Sequence, residues 1–182
     1  MKSILRNTLL LAVFTLLIAG NPALSGSNAA PPSDNPSKET IQAEAELKKL
    51  GVPIQKDPKG NVRWIEARQG EMNDKALSLL PSLPELEWLE IGSGIVTADG
   101  MKHLGKCTSL KRLYVHDIGL QGDELKWLSQ LKKLEALSLQ NTKISGKALE
   151  NLNALDTLKV LNLSGNPVDS GSTEPGSVLL IL

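Results

Sequence analysis

Apolar residues return along this chain as Leu-x-x-Leu-x-Leu, and the group recurs every 24 residues: Leu86, Leu89, Ile91; Leu110, Leu113, Val115; Leu134, Leu137, Leu139; Leu158, Leu161, Leu163. One period earlier stand Val62, Ile65 and Ala67, a weaker fifth copy. Within each group apolar and polar positions alternate, which is the period of a strand with one buried face. A further apolar column follows at Met72, Val96, Leu120, Ile144 and Val168. The next column is Asn73, Thr97, Gln121, Ser145 and Asp169. Four of these five are side chains whose oxygen accepts the unpaired N–H groups at a helix start. Then Leu77 and Leu80, Met101 and Leu104, Leu125 and Leu128, Leu149 and Leu152 are spaced to share one helical face. Each repeat therefore predicts strand, turn, short helix and return loop. Units of this size cannot bury their apolar side chains alone and must stack.

The flanks of the array lack this period. Residues 1–25 read as an export signal, with Lys2 and Arg6 ahead of an apolar run from Leu9 to Ala19 and a small-residue site at Ala23-Leu24-Ser25. The run is shorter than the roughly 20 apolar residues of a membrane span, so cleavage is expected, with a retained anchor as the competing reading. Residues 26–37 have the Ser, Asn, Ala and Pro content of a flexible linker. Residues 38–61 predict an N-terminal cap: a helix from Lys38 capped by Ser37 and ended at Gly51, then a hairpin turning at Asp57-Pro58-Lys59-Gly60. The repeats occupy 62–168. Residues 169–182 are expected to form an irregular tail or partial cap; left uncovered, the last repeat would offer an edge for self-association.

Composition narrows the choice little. The 182 residues carry 20 basic and 20 acidic side chains, and the pI near 6.7 argues against a nucleic-acid footprint. Cys107 is the only cysteine and shares a column with Leu83, Leu131 and Leu155, which predicts a buried thiol rather than a nucleophile.

The strict register of strand leucines, capping residues and helix leucines resembles the leucine-rich repeat family over roughly residues 62–168. The lack of cysteine-rich caps makes the chain similar to bacterial exported members. The resemblance implies an α/β solenoid, or horseshoe arc, with parallel strands on the concave face and short helices on the convex face. Thr142 and Asn166 stand at the family's asparagine-ladder position, whereas Gly94 and Ile118 depart from it.

Three columns should point from the strands away from the core: Trp64, Trp88, Arg112, Ala136, Val160; Glu66, Glu90, Tyr114, Ser138, Asn162; and Arg68, Gly92, His116, Gln140, Ser164. Trp64, Trp88, Arg112 and Tyr114 form the candidate binding patch, with Glu66, Glu90, Arg68 and His116 setting polarity around it. Trp, Tyr and Arg dominate many interfaces. Ordinary pairing of aromatic residues between neighbouring strands would produce the same columns. Trp127, on the helix side, reads as packing. His116 near Glu90 and Asp117 permits an acid–base pair, but no nucleophile, phosphate loop or metal-ligand pattern joins it. The chain is therefore expected to be a noncatalytic recognition module, exported, without a cofactor or metal, and binding a protein or peptide. A structural or assembly role through the C-terminal edge is the second reading, and a glycan-binding or hydrolytic role the most remote.

Overall fold

A computed structural model describes residues 36–120, 122–168 and 179–181. The predicted signal segment, most of the linker, Gln121, the candidate helix cap Asp169, and most of the C-terminal tail lie outside the described residues. The repeat period becomes sheet register. Strands β2 (Val62–Ala67), β3 (Trp88–Gly92), β4 (Arg112–His116), β5 (Ala136–Gln140) and β6 (Val160–Asn162) run parallel in sequence order. Leu89 faces Leu113, Leu113 faces Leu137, and Leu137 faces Leu161, so partners stand one repeat apart. A one-residue slip would turn every leucine outward, which is why one buried face holds the register.

Two further strands extend the sheet to seven. At the N-terminal end β1 (Ile54–Lys56) pairs antiparallel with β2 through a turn in which Asp57 Oδ1 accepts from the N–H groups of Lys59 and Asn61. At the other end β7 (Leu179–Ile181) runs parallel to β6, and Leu163 N donates to Ile181 O at 2.8 Å. The tail thus contributes a strand where the sequence predicted irregular chain or a partial cap. Leu180 faces Leu161 across this pair, so the last crossover is shorter than the other four.

Helices pack on one side of the sheet. Helix α1 (Lys38–Lys49) starts at Ser37, whose Oγ accepts from Thr40 N at 3.1 Å, and buries Ala43 and Leu47. Helices α2 (Asp74–Leu79) and α3 (Ala98–Leu104) are capped by Asn73 and Thr97, as their side chains predict. The next two repeats differ from expectation. Residues Asp123–Gln130 and Gly146–Leu152 wind as 3₁₀ helices without a side-chain cap bond. Gly122, with φ of 95°, precedes one, and Gly146 is the first residue of the other.

The core is a continuous stack between these layers. All eight helix-side residues from Leu77 to Leu152 named above are buried with the strand leucines. Cys107 takes the leucine column's place in it, and burial pushes its thiol up to about 12. After strands β3 to β6 the chain reverses through a left-handed residue: Ser93 (φ 51°), Asp117 (57°), Asn141 (54°) and Gly165 (76°). Each of the first three donates its N–H to a carbonyl of the next repeat, namely His116, Gln140 and Ser164.

The ladder position shows two solutions to buried turn groups. Asn166 Oδ1 accepts from Thr142 N, Thr142 Oγ1 and Ile144 N, while its Nδ2 donates to Leu139 O and Leu163 O. Ile118 has no amide to offer and fills the same space as part of the apolar core; there Leu120 N donates to Thr142 O at 2.9 Å.

Candidate functional site

The sheet face turned away from the core holds the eight candidate residues, brought there by strands β2 to β4 and the residue following β2. Trp64 stands between Gln55 and Trp88 in register, and Trp88 between Trp64 and Arg112. Glu66, Glu90 and Tyr114 form the second row. Gly92 faces His116 in the third, next to Arg68.

Two clusters result. In the aromatic one, the Trp88 and Tyr114 ring centroids are 5.4 Å apart at 34°, and the Arg112 guanidinium carbon lies 5.8 Å from the Trp88 centroid. The ring contact joins Trp88 to Tyr114 diagonally across β3 and β4. Trp64 and Trp88, neighbours in register, make no ring contact among those of the described residues; register neighbours need not bring long side chains face to face. Burial pushes the Tyr114 hydroxyl up to about 12, so it acts as a neutral phenol and not as a nucleophile.

In the polar cluster Glu90 Oε1 receives Arg68 Nε at 2.7 Å and His116 Nε2 at 3.4 Å. These are ion-pair contacts without good hydrogen-bond alignment. Burial is the strongest influence on Glu90 and pushes its carboxyl up, but His116 and Arg68 together outweigh it and hold it below its ordinary value. On the far side of the imidazole, Nδ1 lies 3.0 Å from Asp117 Oδ2. The nearby Glu90 carboxylate, helped by Asp117, raises His116 above its ordinary 6.5 against the opposing effect of burial. Asp117 is lowered, mainly by His116, and its Oδ1 also accepts from Asn141 Nδ2 at 3.0 Å. Arg68 also reaches Glu66 at 3.6 Å.

The face is less open than the alternating pattern implied. Glu90 is 1% and Tyr114 2% exposed, whereas Trp64, Trp88, Arg112, Glu66 and His116 are half-buried and Arg68 is exposed. Gly92 and Asn141 escaped the list of candidate residues. Gly92 has no side chain, yet a Cβ there would overlap the His116 ring and lie 2.8 Å from Arg68 O. Its absence leaves room for the His116 ring beside Glu90. The signal was available: glycine interrupts a column of polar residues beside Arg68 and His116, a mark of close approach.

On the helix side Trp127 packs against the core, with Lys126 and Lys102 Nζ at 5.2 and 5.8 Å from its ring. Among the described residues no three His, Cys, Asp or Glu side chains converge on a metal-sized site. Nor is any helix among them long and apolar enough to cross a membrane.

Parallel strands in repeat register, with short helices closing one side over stacked leucines, make this fold a leucine-rich repeat solenoid. No family model and no curated protein matches the chain. Among solved structures it is similar to an internalin, InlF, of Listeria monocytogenes, at 24% identity over 58% of this chain and 30% of that one, with a TM-score of 0.44. Similar too is the ectodomain of the receptor kinase SOBIR1 from Arabidopsis thaliana, at 17% identity over 80% of this chain and 91% of that one, TM-score 0.44. The protein LIC12759 of Leptospira interrogans matches at 17% identity over 58% and 33%, TM-score 0.38. The chain thus spans a third or less of the internalin and Leptospira chains it matches. The fold assignment rests on the repeat register itself.

Proposed function

We propose that the protein is a noncatalytic recognition module, exported from the cell, whose sheet face binds a protein or peptide through Trp88, Arg112, Tyr114 and Trp64, with Glu66, Glu90, Arg68 and His116 fixing the polarity around them. The observation that carries this is the aromatic cluster, in which the Trp88 ring contacts both Tyr114 and the Arg112 guanidinium of the neighbouring strand. The Trp88 ring and the Arg112 guanidinium, backed by the buried Tyr114 ring, supply contact area at low entropic cost. Half-burial of Trp88 and Arg112 leaves part of each side chain for a partner. The polar cluster adds specificity by charge, because its acids outnumber its cations among Glu66, Arg68, Glu90, His116 and Asp117.

The test is capture from a native extract by the immobilised full chain, followed by affinity measurement on the captured species. Trp88→Ala and Arg112→Ala should each weaken binding by about 2 kcal/mol, roughly 30-fold, with unchanged circular dichroism. Lys126→Ala on the helix side is the control. Equal affinity of all three variants would place the binding surface elsewhere.

A further inference from the structure

His116 is set between two carboxylates on different elements, Glu90 of β3 and Asp117 of the turn after β4, and its ring occupies the space left by Gly92. We propose that His116 is a proton-operated clasp of the binding face: protonated, it ties the end of β3 to the turn after β4 and fixes the polar half of the site; neutral, it releases them. The proposal deepens the recognition reading and rests on it for the use of the clasp, although the clasp itself can be observed without a ligand.

Charge counting supports the geometry. The groups around His116 are Glu90 from β3, Arg68 and Glu66 from the β2 side, and Asp117 on its own turn; β5 places uncharged Gln140 beside it, and Asn141 binds Asp117. With His116 protonated, two cations face three carboxylates. Loss of the proton leaves Arg68 alone against all three, with Glu90 still buried and reduced to one counter-charge. Imidazolium donates from both nitrogens, so it can serve Glu90 and Asp117 together; the neutral ring carries one N–H and can serve only one as donor. The backbone links that would feel this are Ser93 N to His116 O and Asp117 N to Gln140 O, at 3.2 and 3.1 Å.

The direction with pH follows from linkage. The folded-state value of His116 lies above its ordinary one, so its contribution to stability is complete below about 6.5 and is lost as pH rises through the folded value. Glu90 and Asp117 are both held low and stay ionised across this window.

The experiment is NMR on the full chain between pH 5.5 and 8.5, following the His116 ring and the amide protection factors of Ser93 and Asp117. The His116 midpoint should lie above 6.5 and move down in Glu90→Gln, while protection at the two amides falls as the ring loses its proton. His116→Gln should abolish the pH dependence of protection, and Asp117→Asn, on the exposed side, should lower the midpoint if Glu90→Gln fails to fold. A midpoint at or below 6.5, or protection that does not change through the titration, overturns the clasp. Capture lost in Trp88→Ala but with a normal His116 titration would separate the two ideas, as would a flat titration with capture intact.

Discussion

Replacing Asn166 by Ala should be among the most damaging changes available to a partly exposed polar residue in this chain. The side chain makes five hydrogen bonds: three accepted by Oδ1, from Thr142 N at 3.0 Å, Ile144 N at 3.0 Å and Thr142 Oγ1 at 3.1 Å, and two donated by Nδ2, to Leu139 O at 2.5 Å and Leu163 O at 2.8 Å. A net bond contributes about 0.5–1.5 kcal/mol, and a buried group left without a partner costs about 1–3. Water can recover part of this because Asn166 is only half-buried, so about 2–4 kcal/mol is expected. Four of the five bonds reach backbone groups; Leu139 O and Leu163 O also accept from Thr142 Oγ1 and Asn166 N, so the N–H groups of Thr142 and Ile144 bear most of the loss. With a urea slope of about 2 kcal/mol/M, the unfolding midpoint should drop by about 1–2 M. Asn166→Asp separates the two halves of the interaction, since it keeps the acceptors but sets a carboxylate against the carbonyls of Leu139 and Leu163. It too should destabilise, despite being nearly isosteric. A loss below about 0.5 kcal/mol for the Ala variant, the size of an ordinary surface change, would refute the claim that this amide holds the last turns together.

Gly92→Ala should cost about 1–3 kcal/mol by overpacking, since the new methyl overlaps the His116 ring and approaches Arg68 O. Its NMR spectrum should show His116 displaced and titrating closer to its ordinary value, while unaltered stability would mean the column has room. Cys107, buried and with its thiol pushed up to about 12, should resist iodoacetamide at pH 8 in the folded chain and react on denaturation. Equal labelling rates with and without denaturant would show the thiol to be accessible.

Much of the fold could be read from spacing because the same physical requirement is repeated. Leu89, Leu113, Leu137 and Leu161 each fill one layer of one core, and a periodic requirement leaves a periodic trace. Asn73 and Thr97 cap helices as their chemistry predicts, but Ser145 makes no such bond. The choice between α and 3₁₀ winding lies in a small difference of backbone geometry and leaves the apolar spacing intact, so Leu125 and Leu128 read the same in either. Strand β7 was hidden for another reason. Its crossover is shorter than the repeat, and a strand outside the period carries no periodic signal.

The site was legible by column but not by contact. Sequence placed Glu90, Arg68 and His116 on one face, yet the exposed acid and base it suggested are instead a buried carboxylate covered by a guanidinium and an imidazole ring. Register fixes Cα neighbours one repeat apart, whereas side chains of this length choose partners diagonally, as Trp88 chooses Tyr114. The edge row shows the contrast. Arg63, Glu87, Lys111, Glu135 and Lys159 alternate in sign at the repeat spacing, and neighbours bind directly, Arg63 to Glu87 at 3.2 Å, Glu87 to Lys111 at 2.9 Å and Glu135 to Lys159 at 2.9 Å. These three pairs join register neighbours, so along this row the sequence pattern predicts contacts, although Arg63 also binds Glu85 at 2.7 Å and Asp57 at 3.5 Å. Exposed pairs of this kind contribute little energy each, but a slip by one repeat would bring like charges together. The alternating row therefore disfavours wrong stacking of otherwise similar repeats. The columns around Glu90 and Trp88 do not alternate in sign, so this constraint on stacking order does not account for them.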